Sequence, residues 1–309
     1  MRRILLALCT LPLLLGCATA SPGGGATVAR AAAPTPFRVQ RSGQGRPLLL
    51  IPGLSSSGKV WDATVAHYQS RYDCHVFTLA GFAGQPAVPG PFLPTMRRAL
   101  ADYIRGQHLE RPILVGHSLG GVLALAVAED APELLGGLVL VDSLPFLPAA
   151  MDPSATAESV RPQVEELSAR MRMQPPDQRN AQTLRTLRGF ITDEDNVQTA
   201  MRWSVDSDPE TIINAFSELS TTDLRPELTR IQVPALVLGS WVALKGRVPK
   251  EQVEAVYRAQ YRNLSGARVV LNDTARHFIM WDDPAGFLRE TDAFLGALPA
   301  PVARMEPVH

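Results

Sequence analysis

A six-residue segment, Gly116-His117-Ser118-Leu119-Gly120-Gly121, constrains the fold of this chain more than any other feature of its sequence. An apolar run at residues 112–115 precedes it, and a helical pattern at residues 119–130 follows it. In that context a Gly-x-Ser-x-Gly motif forms a sharp strand-to-helix turn, because the small residues let neighbouring chain segments approach closely. The turn raises the Ser118 hydroxyl above a sheet edge and makes it a candidate nucleophile.

The rest of the chain alternates between short apolar runs and helical stretches. The runs are rich in Val, Leu and Ile, which is typical of strands that are covered on both faces. They lie at residues 46–51, 72–79, 112–115, 137–141, 234–238 and 267–271. Helical patterns fall between them, at residues 58–69, 93–107, 119–130, 250–260 and 285–296. This alternation predicts an α/β fold with a doubly wound, mostly parallel sheet.

One long interval breaks the alternation. About ninety residues between Val141 and Pro234 contain no strand-like run, and turn signals occur at 174–177 and 207–209. Ser207 or Asp208 before Pro209 is typical of a helix start. We therefore expect a helical cap at residues 144–230, inserted into a core made of residues 37–143 and 231–298.

A serine nucleophile needs a general base, because a neutral hydroxyl reacts poorly. His277 follows the last predicted strand in a loop and precedes Asp283-Pro284, which opens the final helix. The other histidines are placed less suitably for a general base. His67 lies in a predicted helix, His75 in a predicted strand and His108 at a helix end. His117 lies inside the motif and points away from the reactive face of Ser118, and His309 is terminal. We predict that His277 is the base.

The developing negative charge of an acyl-transfer reaction needs two backbone N–H groups. The residue after the nucleophile, Leu119, supplies one. The loop at residues 52–58 resembles the His-Gly-x loop of many α/β-hydrolases, with Pro52 in the place of the His, and this resemblance implies that Leu54 supplies the other.

From about residue 37 to residue 298 the chain resembles the α/β-hydrolase superfamily in its capped form. The Pro52-Gly53 loop, the Ser118 motif and the late Arg276-His277-Phe278 fall in the order and spacing of that family. The resemblance implies the fold and a Ser–acid–His triad.

The acid is where the sequence departs from that pattern. Most relatives carry an Asp just past the strand predicted at 234–238, but residues 239–246 contain no carboxylate, and Glu251 falls within a predicted helix. Asp142, at the end of the preceding strand and 24 residues after Ser118, is the alternative. An Asp at this strand end also occurs in relatives whose acid lies elsewhere. The absence of a carboxylate from residues 239–246 favours Asp142 as the acid of the triad.

These roles predict a serine hydrolase that cleaves a small or medium acyl ester, with carboxylesterase as the first hypothesis. Apolar residues after residue 141 and near the late loops, Phe146, Trp241 and Phe278, could line the substrate pocket or could pack the cap against the core. A proline-iminopeptidase-like amide hydrolase is an alternative, for which acidic cap residues would hold the substrate amine. The candidates are Glu165, Glu166, Asp193, Glu194 and Asp195. Cofactor-free perhydrolase activity and a non-catalytic envelope binding lipoprotein remain open.

Composition limits the partners. The chain has 30 Lys and Arg against 30 Asp and Glu, so its formal net charge is zero, which argues against a nucleic-acid partner. No metal-ligand cluster and no dinucleotide fingerprint occurs, so the sequence implies no cofactor. It says nothing about oligomeric state.

The amino terminus has the pattern of a bacterial lipoprotein signal. Arg2 and Arg3 precede an apolar run at 4–15, which ends in Leu14-Leu15-Gly16-Cys17. We expect a signal peptide at 1–16, lipid on Cys17 and a flexible tether at 17–36, rich in Ala, Gly, Pro, Ser and Thr. Ala18 favours anchoring in the outer membrane, facing the periplasm. The alternative is an ordinary secretory signal and a secreted protein. Cys74 is then the one remaining thiol and is expected to be a small buried residue.

Overall fold

Seven strands form one sheet in the computed structural model, which describes residues 35–299. They are β1 Phe37–Ser42, β2 Arg46–Ile51, β3 Tyr72–Leu79, β4 Ile113–His117, β5 Gly137–Val141, β6 Ala235–Ser240 and β7 Ala267–Asn272. Their order is β1-β3-β2-β4-β5-β6-β7, and every pair is parallel except β1 with β3. This confirms the predicted mostly parallel sheet. The predicted signal peptide, Cys17, residues 18–34 of the tether and His309 lie outside the described residues.

The strand β1 was not among the predicted runs, and the reason is its position. It pairs only with β3, Phe37 opposite Leu79, and its residues alternate between partly covered and exposed from Phe37 to Gln40. Since an edge strand with one exposed face alternates between apolar and polar residues, it has no continuous apolar run. Three strands also extend past their predicted ends, β4 to His117, β6 to Ser240 and β7 to Asn272.

Ten α-helices accompany the sheet within the described residues. They are α1 Asp62–Tyr68, α2 Phe92–Gly106, α3 Leu119–Asp130, α4 Ala157–Met173, α5 Pro176–Phe190, α6 Glu194–Val205, α7 Pro209–Thr221, α8 Lys250–Gln260, α9 Ile279–Asp282 and α10 Pro284–Ala297. The predicted helical stretches at 119–130 and 250–260 coincide with α3 and α8. Residues 58–61 form a 3-10 turn in front of α1.

The sheet divides the apolar core into two layers. Leu49 and Ile51 of β2 belong to one cluster, with residues of α2, α3 and α8, whereas Leu48 and Leu50 belong to the other, with residues of α1 and α10. Successive side chains of a strand point to opposite faces, so one apolar strand supplies both layers. Cys74, on β3, is buried, and burial raises the pKa of its thiol to about 11.

Four helices, α4 to α7, occupy the chain between β5 and β6. They pack in pairs, α4 with α7 and α5 with α6, and α7 also packs on α2. Side-chain caps begin three of them, at Thr156, Asp193 and Asp208. The limits of the cap at 144 and 230 stay a prediction. Within residues 35–299 no helix has the length and hydropathy that a membrane crossing requires.

We expect Gly120→Ala to destabilise the protein by about 1–3 kcal/mol or to prevent folding, because the new Cβ would lie against backbone that cannot move aside. It would stand 2.3 Å from the carbonyl oxygen of Ile51 and 2.7 Å from that of Pro52. Gly296→Ala is the matched control, since nothing lies within 4 Å of a Cβ at that position. Urea unfolding of both variants measures the difference, and equal stability would contradict this account.

Candidate functional site

Ser118 stands alone between β4 and α3, with backbone angles φ 50° and ψ −117°. A non-glycine residue in this region stores roughly 1–3 kcal/mol of strain. Close backbone contact explains why glycines flank it: a Cβ on Gly116 would stand 2.3 Å from the carbonyl oxygen of Gly120. The Ser118 N–H donates to the carbonyl of Val141 at 2.9 Å, and Ser143 Oγ donates to the carbonyl of Ser118 at 2.8 Å. These bonds tie the turn to the end of β5.

The Ser118 hydroxyl is partly exposed and forms no hydrogen bond with His277 or with any other residue in the described part of the chain. In enzymes without substrate, the hydrogen bond between nucleophile and base is often long and tightens only when substrate binds.

Asp142 follows the last residue of β5 and also has a positive φ, of 46°. Its N–H donates to the carbonyl of Leu238 at 2.7 Å. Its carboxylate accepts four hydrogen bonds: Oδ1 from the Ser240 N–H at 2.7 Å and the Tyr257 hydroxyl at 2.5 Å, and Oδ2 from Ser240 Oγ at 2.9 Å and His277 Nδ1 at 2.6 Å. An ionised carboxylate offers about four acceptor positions, so this one is fully occupied.

The hydrogen bond between Asp142 and His277 fixes the form of the imidazole. A carboxylate only accepts, so Nδ1 of His277 carries the hydrogen and Nε2 keeps its lone pair. The two side chains are 9% and 19% exposed, so little water competes for the bond. An imidazole in this form can take a proton at Nε2.

His117 contacts the site more closely than the sequence indicated. Its ring centroid lies 4.6 Å from that of His277, and its Nε2 donates to the carbonyl of His277 at 3.1 Å. Burial, reinforced by the neighbouring His277, holds the pKa of His117 well below its ordinary value. A permanently neutral His117 therefore supports the backbone of His277.

The two residues predicted to donate from their backbones lie beside Ser118. Leu119 is the first residue of α3, and the loop that holds Leu54 approaches Ser118 through Gly53. A Cβ on Gly53 would stand 3.3 Å from the Cβ of Ser118, so the loop and the turn are in contact.

The three candidate pocket residues take different positions. Phe146 has no exposed surface and lies under the guanidinium of Arg225, 4.8 Å from its ring centroid. Phe278 is also buried, against His117 and Trp281. For these two residues the structure favours the packing alternative. Trp241 is half-buried, and its Nε1 donates to Asp273 at 3.0 Å.

A residue between β5 and β6 that the sequence analysis did not select also contacts the imidazole. The ring of Phe190, at the end of α5, stands 4.6 Å from that of His277, and the Phe190 side chain is 40% exposed. The carbonyl of Phe190 accepts from the N–H of Phe278 at 3.3 Å.

Further hydrogen bonds join the His277 loop to the junction of α5 and α6. The Arg276 guanidinium donates to the carbonyls of Arg188, at 2.6 Å, and Ile191, at 3.2 Å. The Asp282 carboxylate accepts from the backbone of Arg276 and from both the N–H and the hydroxyl of Thr192, at 2.9–3.0 Å. We call these contacts of Arg276 and Asp282 the cap clamp.

The acidic cap residues have structural partners or lie on the surface. Asp193 caps α6 through the N–H of Asn196, and Glu194 pairs with Arg188 at 2.8 Å. Glu165, Glu166 and Asp195 are exposed. Among residues 35–299, no group of three or more His, Cys, Asp or Glu side chains could hold a metal ion.

Four residues of the site could not be selected from the sequence: His117, Phe190, Ser240 and Tyr257. Tyr257 has the spacing of an ordinary core residue on α8, four residues after buried Val253. Ser240 was visible only as part of a loop without a carboxylate. His117 offered the one available signal, since it adjoins the nucleophile within the motif.

Comparisons with known proteins agree with this architecture. The model of the Alpha/beta hydrolase family matches residues 48–290. The pimeloyl-acyl-carrier-protein methyl ester esterase of Vibrio atlanticus is 26% identical over 272 residues, covering 83% of this chain and 94% of that protein. The enzyme of the same name from Aeromonas hydrophila is 26% identical over 273 residues, covering 84% of this chain and 98% of that protein. A hydrolase structure from Pseudomonas aeruginosa superimposes with a TM-score of 0.70 at 20% identity, over 84% of this chain and 94% of that one, which is a likeness of fold.

We expect Arg276→Met to loosen the His277 loop, because the cap clamp loses two hydrogen bonds from a charged donor. Amide hydrogen exchange at residues 188–192 and 276–278 should quicken by about tenfold. Arg289→Met is the matched control, since within residues 35–299 the Arg289 guanidinium donates to its neighbour Glu290 on α10 and forms no hydrogen bond in the cap clamp. Unchanged exchange at both segments in Arg276→Met would show that the cap clamp contributes nothing to the loop.

Proposed function

We propose, from the premise that the chain belongs to the alpha/beta hydrolase family, that it is a serine hydrolase that cleaves carboxylic esters through an acyl-enzyme. The observation that carries the proposal is the 2.6 Å hydrogen bond between Asp142 and Nδ1 of His277, beside a serine held in a strained turn. This arrangement leaves an imidazole lone pair and an unbonded hydroxyl in the same site.

In the proposed reaction, Nε2 of His277 takes the Ser118 proton while Oγ attacks the acyl carbon. The imidazolium that forms is stabilised by Asp142, which also holds its tautomer. When the tetrahedral intermediate collapses, the ester C–O bond breaks and the leaving alkoxide takes the proton from His277. Water, deprotonated by the same imidazole, then attacks the acyl carbon. When the bond from the acyl carbon to Ser118 Oγ breaks, the imidazolium returns the proton to Oγ and the acid is released.

The intermediate places a negative charge on the former carbonyl oxygen. We assign its two donors to the backbone N–H groups of Leu54 and Leu119. The contact between Gly53 and Ser118 supports this assignment, because it places the Leu54 loop against the nucleophile. The position of Leu119 at the first turn of α3 adds the positive end of the helix dipole.

Ester cleavage is favoured over the other hypotheses by two observations. Two relatives that match 83% and 84% of this chain are named as methyl ester esterases. Of the acidic cap residues that a peptidase would use to hold an amine, Asp193 and Glu194 already have partners. Perhydrolase activity would share the proposed triad, and a non-catalytic binding protein would leave Ser118 unreactive.

We assign to Phe190 a place in the substrate pocket. It combines exposure with a ring contact to His277, whereas Phe146 and Phe278 have almost no exposed surface. An apolar side chain at this point suits the carbon chain of a small or medium ester, in keeping with a small-molecule acyl substrate.

Ser118→Ala and His277→Ala should abolish ester hydrolysis, since each removes a reacting group. Asp142→Asn should lower kcat by roughly 10⁴-fold, because the amide favours the wrong imidazole tautomer. Phe190→Ala should change KM more than kcat. These effects are measured with p-nitrophenyl esters of graded chain length, with a prolyl amide and with an assay for peracid formation. If the amide is cleaved faster than every ester, the assignment as an esterase is wrong and the amide hydrolase takes its place.

A fluorophosphonate probe gives the control for that panel. Labelling of the wild-type protein, absent in Ser118→Ala, is expected of a serine hydrolase. An unlabelled wild-type protein would favour the non-catalytic alternative. Full activity in Asp142→Asn would show that another residue is the acid of the triad.

We also propose that Cys17 carries a lipid that anchors the protein in the outer membrane, facing the periplasm, as the sequence pattern at residues 1–17 indicates. Radiolabelled palmitate should label the wild-type chain and not Cys17→Ser, and only the wild type should sediment with membranes. Cys74→Ser, which keeps Cys17, is the control. A soluble, unlabelled wild-type chain would support the secreted alternative.

A further inference from the structure

We propose that Tyr257 is a positioning residue for the reaction, acting through Asp142 on the basicity and the orientation of His277. The inference rests on the proposed function, since it gives His277 the role of base. Its observation is the hydrogen bond of 2.5 Å from the Tyr257 hydroxyl to Oδ1 of Asp142.

Close packing around Gly239 accompanies the contact between the Tyr257 phenol and the Asp142 carboxylate. Tyr257 is buried on α8 and reaches Asp142 across the end of β6. Its ring passes directly over Gly239: a Cβ there would stand 2.7 Å from Cζ of Tyr257 and 2.9 Å from Cε1. Cδ2 of Leu271 stands 2.6 Å from the same position, so Tyr257 and Leu271 together require glycine at 239.

The two carboxylate oxygens have separate partners. Oδ1 accepts from the Ser240 N–H and Tyr257, and Oδ2 accepts from Ser240 Oγ and His277. With Oδ1 held by two donors, the carboxylate cannot rotate without breaking both bonds. Tyr257 thus keeps Oδ2 directed at the imidazole.

The Tyr257 phenol also affects the negative charge of the Asp142 carboxylate. Each donor to a carboxylate draws electron density from it and weakens its hold on the next proton. Burial, together with the negative charge of Asp142, raises the pKa of Tyr257 well above its ordinary value, so the phenol stays a neutral donor throughout the range of protein stability. Asp142 therefore meets a constant donor at any working pH.

Few other titratable groups face this cluster within the described residues. The His117 ring lies 4.6 Å from the His277 ring, and burial holds the pKa of His117 well below its ordinary value. Tyr261, also on the Asp142 side, gives its hydroxyl to the carbonyl of Ser143 at 2.8 Å and not to the carboxylate. A change in pH dependence on altering Tyr257 can therefore be traced to the pair of Asp142 and His277.

Tyr257→Phe tests the proposal, with Tyr261→Phe as the matched control. Removing the donor frees Asp142 to stabilise the imidazolium more strongly, so the acid limb of the kcat/KM profile should move to higher pH, by about half a unit or more. At the pH optimum kcat should fall roughly tenfold to hundredfold, with KM little changed, because the imidazole is less well held. In Tyr261→Phe the acid limb should stay in place, although the loss of a buried hydroxyl lowers the midpoint of urea unfolding.

A second replacement keeps the shape of the side chain. Incorporation of 3-fluorotyrosine at position 257 makes the phenol a stronger donor, so the acid limb should move to lower pH, opposite to its movement in Tyr257→Phe. Two opposite shifts cannot come from lost packing.

Wild-type kcat and an unmoved acid limb in Tyr257→Phe would overturn the proposal, as would equal limb shifts in Tyr257→Phe and Tyr261→Phe. Both results leave the proposed function intact, provided the probe still labels Ser118. If the wild-type protein is not labelled and hydrolyses no ester, the proposed function fails and this inference fails with it.

Discussion

Backbone hydrogen bonding that continues past the ends of three parallel strands underlies the whole site. The N–H of Ser118, beyond β4, donates to Val141, and the N–H of Asp142, beyond β5, donates to Leu238. The N–H of Ser240, at the end of β6, then donates to the Asp142 carboxylate. Each strand end is thus held by the next, and the positive φ angles of Ser118 and Asp142 turn the side chains out of the sheet at those points. The register of the sheet sets the geometry of the proposed reaction.

Because the site is built at the ends of strands, only those parts of it that follow a strand could be predicted from the sequence. Ser118 and Asp142 each follow a buried apolar strand, and His277 follows the last one, so the strand pattern alone indicates that they lie at one edge. His117, Phe190 and Tyr257 were missed because their roles depend on which residues of distant segments they contact. The same limit applies to β1, whose pairing with β3 is specified by the partner strand as much as by its own residues.

The position of the acid shows how the rest of the fold has adjusted. The loop after β6 contains no carboxylate, but Ser240, the last residue of β6, provides two of the four donors to Asp142. With Tyr257 and His277 these donors occupy the carboxylate, which is 9% exposed and would be costly to bury without partners. A buried charge in this setting needs its complete set of donors, and the glycine at 239 makes room for one of them.

The cap clamp divides the inserted helices into two functional halves. Helices α4 and α7 pack on each other and, through α7, on α2, so they belong mechanically to the core. The junction of α5 and α6 instead shares hydrogen bonds with the loop that holds the imidazole. If His277 acts as the proposed base, amino-acid changes at this junction would alter turnover even when they touch no substrate, whereas changes on α4 would leave the base undisturbed. Natural variation among relatives would for that reason be tolerated in one half of the insertion and penalised in the other.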